Sequence, residues 1–196
     1  MIRMRVDAGQ MGISSRLLRQ LGPNADKALA DASNRTAAGM RTDATRLIVK
    51  DSGLKRPVIF TAFRIVKASG KVGGSSAQVI IDGSPLPLFL NAPKPSKPMT
   101  GKTKGGVTVK LGARRVNFQH AFIAQMASGR VGIFERQVGV RGDSGREKIR
   151  ELYGPSVPQL AERDHITEEV NQKARERFNQ RFNQQADRHL RRMGVR

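Results

Sequence analysis

At 196 residues the chain has room for one domain and one principal core. No run approaches the roughly 18 apolar residues of a membrane span, and the lack of cysteine excludes disulfides, thiol nucleophiles and Cys-ligated zinc. Against 16 Asp and Glu stand 36 Lys and Arg, a formal charge of +20 that attracts polyanions: nucleic acid, anionic lipid or acidic protein surfaces.

The opening Met1–Asp7 is charged almost at once and has no apolar stretch, so no Sec-type signal is expected and folding in a reducing cytosol is. After a polar segment (1–22), Gly22-Pro23-Asn24 reads as a helix entry, and 23–52 as a long helix. Ala28, Leu29, Ala32, Thr36, Met40, Leu47 and Ile48 recur at three- and four-residue spacing, which predicts one buried face. Its many alanines let a partner approach closely, and Gly53 and Pro57 stop it.

Residues 57–137 change to a period of two and predict a β core, mostly one antiparallel sheet of five or six strands. Val58–Lys67 and Ala77–Asp82 read as strands. Ser84–Leu90 carries Pro85 and Pro87, so it is irregular or an edge. Asn91–Gly106, with Pro93, Pro95 and Pro98, reads as an extended, mobile basic arm. Gly112-Ala113 and Ser128-Gly129-Arg130 predict two hairpins, 107–118 and 121–135. Residues 138–158 read as a Gly- and Arg-rich loop and a forced turn, and 159–193 as a second long helix. In that helix Ile166, Val170, Ala174, Phe178, Phe182, Ala186 and Leu190 form a strict four-residue ladder. At about 100° per residue such a ladder drifts about 40° per step. A drifting stripe leaves surplus contact surface, so Phe178, Phe182 and Leu190 are candidate subunit-interface residues. The order helix, sheet, helix gives an α+β fold in a single domain.

Catalytic signals are poor. His120, His165 and His189 fit no metal-binding frame, and the last two lie about 36 Å apart on a continuous helix. Gly101-Lys102-Thr103 resembles the end of a P-loop, but Ser96 stands where its first Gly belongs. Neither a metal nor a cofactor is expected, and Asp143, Glu147 and His120 are the sole start for a nuclease. Clustered cations say more. Lys94, Lys97, Lys102, Lys104, Arg114, Arg115 and Arg130 are candidate charge contacts to a phosphate backbone or an acidic partner. With no Trp and one Tyr, stacking on single strands is not expected.

An ordered series of segments carries a family likeness: Ile81–Leu88, Gly106–Val109, His120–Met126, Gly129–Arg136 and Leu152–Pro158, the last centred on Gly154, Pro155 and Ser156. Together they resemble the phage minor tail protein Z family of tail-completion proteins. Gln137–Arg150 departs from that pattern as a longer Gly/Arg loop. The resemblance implies a structural virion protein of the tail and neck, assembled in the host cytoplasm and acting at the head-proximal end in tail completion and head–tail joining. It implies a homo-oligomeric ring, taken as a hexamer, around the DNA path. Implied partners are neighbouring tail and neck proteins such as the tail terminator and head–tail connector, with DNA as a nonspecific partner and no membrane. The alternative reading is a nonspecific duplex-DNA-binding protein acting outside the virion.

Overall fold

The computed structural model describes residues 1–6, 18–19, 21–71, 76–98, 105–142 and 145–192. Strand β1 (Ile2–Val6) alternates apolar and arginine side chains, burying Val6 and half-burying Ile2 and Met4 while Arg3 and Arg5 stay exposed. It pairs antiparallel with β3 (Ala77–Ile81), Ile2 opposite Ile81, and β2 (Phe63–Val66) pairs with the other edge of β3.

Helix α1 (Ala25–Ser52) starts after a 3₁₀ turn at Gly22–Asn24. It ends where Gly53, at φ 73°, donates its N–H to the Val49 carbonyl. The next segment departs from expectation. Arg56–Phe60 is a short helix, α2, and the strand begins only at Phe63. Pro57 presets the dihedrals of a first helical turn and outweighs the strand preference of Val58 and Ile59.

The expected sheet of five or six strands is instead three small ones, in the orders β1-β3-β2, β4-β5 and β6-β7-β8. The two predicted hairpins form: β4 (Val107–Leu111) with β5 (Arg114–Phe118), and β6 (Ala121–Gln125) with β7 (Val131–Arg141). The region read as a Gly/Arg loop is another hairpin. β7 runs on to Arg141 and pairs with β8 (Glu147–Glu151), the register shifting between Arg136 and Arg141, where Gly139 has φ 82°. A bulge absorbs the glycine that made this stretch look unstructured. Helix α3 (Val157–Ala161) is short, and α4 (Asp164–Arg192) is the long last helix.

Asp51, near the end of α1, meets Arg163 and His165 at the start of α4, while Asp43 meets Arg177 further along. The two long helices are therefore antiparallel. Between them and the first sheet lies the main core, including Ala28, Ala32, Met40, Ile48, Val79, Ile81 and Leu160. Six residues of the α4 ladder, Ile166 to Ala186, are buried in it, and half-buried Leu190 packs against it. Phe178 and Phe182 stack with ring centroids 6.2 Å apart and are 0% and 2% exposed. This corrects their reading as subunit contacts. The drifting stripe is consumed inside the chain, because its partner is a second long helix of small residues and not a flat sheet. Leu88, Val107, Val109, Ala121, Ile123 and Ile133 make a second, smaller core between the other two sheets.

Candidate interaction surfaces

The arm read as mobile is docked along its first part. The N–H of Lys94 donates to the Thr108 carbonyl at 2.7 Å and that of Thr108 to the Lys94 carbonyl at 2.9 Å. The side chain of Asn91 donates to the Lys110 carbonyl, and the Lys110 N–H donates to that of Asn91. Residues 91–94 thus lie against β4, with the side chains of Lys94 and Lys97 exposed. Lys102 and Lys104 lie outside the described residues. Arg114 and Arg115 are exposed on β5, and Arg115 sits opposite Lys110 across the ribbon.

Arg130 is not a free cation. It donates to Glu151 Oε1 at 3.0 Å and to Tyr153 Oη at 3.3 Å, and the Tyr153 hydroxyl donates to Glu151 Oε2 at 2.7 Å. The Tyr153 hydroxyl first, and the Glu151 charge second, hold its guanidinium above the usual arginine range. Gly132 leaves room for this triad: a Cβ there would stand 2.9 Å from Glu151 Oε1.

The Gly154-Pro155-Ser156 turn joins the two halves. The Gly154 N–H donates to the Leu86 carbonyl at 2.7 Å, and Ser156 caps α3 in a capping box with Gln159. Beside the turn, a cavity of about 140 Å³ is lined by Leu54, Leu86, Asn91, Pro155 and Leu160 among others.

Two surfaces stand out beyond the expected residues. β6 pairs with β7 only as far as Glu135, so past that point β7 and β8 form a two-stranded ribbon. Val138 is 88% exposed there, with Val140 and Ile149 also exposed. Arg136, Arg141, Arg146 and Lys148 are exposed on the same hairpin, and Arg150 pairs with Glu135 at 2.9 Å. Charged edge residues discourage indiscriminate strand pairing, while the exposed valines offer a contact patch. The second surface is an open groove of about 430 Å³ between α1 and α4, walled by Arg35, Arg46, Arg177 and Arg181. Its signal in the sequence was the helical spacing of Arg35, Ala38, Gly39, Thr42 and Arg46, which place cations and small residues on one exposed face.

Among the described residues no group of three or more His, Asp or Glu side chains is placed to hold a metal ion, and no helix is long and apolar enough to cross a membrane. Exposed ribbons, a docked basic segment and a cationic groove are the anatomy of a protein that works through its surfaces. The comparisons with known proteins give the class: a structural component of a phage tail. The model of the prophage minor tail protein Z family matches residues 13–196, nearly the whole chain, and the protein belongs to that family. Neither the curated proteins nor the solved structures return a match.

Proposed function

We propose that this subunit completes the tail at its head-proximal end and takes part in head–tail joining, packing with copies of itself into a ring around the DNA path. A role as a structural tail protein follows from the family; the neck position, the ring and its contacts are our reading. The observation that carries it is the β7–β8 ribbon, whose exposed Val138, Val140 and Ile149 have no partner within the second core. An apolar patch framed by charge has the composition of a subunit contact. Ring closure needs a heterologous contact, one patch meeting a different one on the next copy, and multiplicity then strengthens each weak contact. Lys94, Lys97, Lys102, Lys104, Arg114 and Arg115 are assigned to acidic faces of neighbouring tail and neck proteins or to DNA.

The test replaces Val138 and Val140 by Asp in an inducible prophage. The purified variant is expected to keep its thermal midpoint, because both side chains are exposed, while tails accumulate unjoined to heads in electron micrographs of the lysate. Normal titre and joined particles would remove the ribbon from the account.

A further inference from the structure

We infer that the groove between α1 and α4 is a binding face for the phosphate backbone of duplex DNA. Four arginines from two helices line one groove, and its sole carboxylate, Asp43, is 9% exposed and held by Arg177 at 2.6 Å. Arg35 and Arg46 have no carboxylate within ion-pair distance among the described residues, and Arg181 is held only by the side-chain oxygen of Gln184 at 3.0 Å. Two helices packed for stability alone gain from opposite charges across their groove; like charges on both walls cost free energy unless an anion enters.

The shape of the groove sets the kind of anion. The α1 side chains on its floor, Ala38 and Thr42, are small, and Arg177 lies over Gly39 between them, so a ligand meets a low floor with a guanidinium at its centre. Arg35 and Arg46 stand eleven residues apart on α1, about 16 Å along its axis. A duplex of that length presents roughly five phosphates on each strand. Arginine meets phosphate oxygens in pairs through its planar fork. An acidic protein is the weaker fit, because protein interfaces centre on an apolar or aromatic core and this groove holds no side chain larger than Thr apart from its charged walls. DNA interfaces are polar and strongly positive throughout. The exposed apolar residues of this protein lie instead on the β7–β8 ribbon. The inference gains its setting from the DNA-path reading above, but duplex affinity is a property of the isolated protein, so the two fail separately.

The experiment measures fluorescence anisotropy of a labelled 30-base-pair duplex of mixed sequence against the purified full chain over a series of salt concentrations. Three proteins are compared: wild type, a groove variant (R35Q, R46Q and R181Q) and a charge-matched control at exposed cations outside the groove (K55Q, R64Q and K67Q). Circular dichroism melting confirms that each folds. Each lost phosphate contact lowers the slope of log affinity against log salt by about 0.9, so the groove variant is expected to fall by about 2.7 while the control variant keeps the wild-type slope. An unchanged slope in the groove variant overturns the assignment, as does an equal fall in both variants. Absence of salt-dependent binding by wild type also overturns it. So does poly-glutamate binding wild type as tightly as the duplex does with the same loss in the groove variant, which would give the groove to acidic proteins.

Discussion

Arg177 lies across the backbone of α1 directly above Gly39. A Cβ on Gly39 would stand 2.6 Å from the Arg177 guanidinium carbon, and it is this missing methyl that lets the side chain reach Asp43. A mid-helix glycine normally costs about 1 kcal/mol relative to alanine. Here it makes space for an ion pair whose carboxylate is nearly buried.

Gly39→Ala is therefore expected to destabilise the fold despite its gain in helix propensity. Displacing Arg177 leaves Asp43 without its cation, and the expected net loss is roughly 1–3 kcal/mol, below the figure for a fully buried pair because Arg177 is partly exposed. Urea denaturation measures it. In an Arg177→Ala background the same substitution should become neutral or stabilising; a full second loss there would break the link between the two residues.

Phe178→Ala tests where the ladder of α4 is spent. With the side chain fully buried against α1, truncation should cost about 3–5 kcal/mol through lost burial and the cavity left behind. A variant with an unchanged unfolding midpoint and a defect only in assembly would return Phe178 to a subunit contact.

Two glycines in left-handed backbone separate strain from collision. Gly106 has φ 74°, and a Cβ there would lie 2.6 Å from the Gln119 Cα; Gly129 has φ 81° with nothing within 4 Å. Gly129→Ala should cost about 1–2 kcal/mol, the left-handed penalty alone. Gly106→Ala adds a clash with backbone that cannot swing aside, so its loss should clearly exceed that of Gly129→Ala in the same denaturation series.

Ser156→Ala removes the cap of α3. The expected loss is about 1 kcal/mol, and Gln159→Ala should overlap with it, since each side chain satisfies the other's backbone N–H. Fully additive losses in a double-mutant cycle would show that the two act apart.

Local signals were legible in the sequence where they were strong. The apolar spacing of α1, the Gly112-Ala113 and Ser128-Gly129 turns, and the existence of α4 could all be read from residues close together in the chain, but the single helix expected over 159–193 breaks at Glu162-Arg163 into α3 and α4. What escaped depends on distant partners. Ile2-Arg-Met-Arg-Val6 becomes a strand only because Ala77–Ile81 lies beside it, and nothing local tells one sheet of six strands from three small ones. β8 was hidden by composition: Glu147, Lys148 and Arg150 have poor strand propensity, and their pairing partner supplies the order. The groove arginines were missed because each, taken alone, reads as an ordinary solvated helix position; only the approach of α4 to α1 gathers them. That the ladder would be buried from Ile166 to Ala186 was likewise unreadable, since the pattern gives the stripe's drift and not the shape of what meets it.

The antiparallel pairing of α1 with α4 also bears on synthesis. The helix that covers the Ala-rich face of α1 leaves the ribosome about 110 residues after it, several seconds or more at ordinary elongation rates. Throughout that interval the core around Met40 and Ile48 lacks the whole of its α4 side, so the nascent chain offers a greasy helical surface to whatever holdase waits at the exit tunnel. Yield in cells should respond more to chaperone supply than the modest size of the protein suggests.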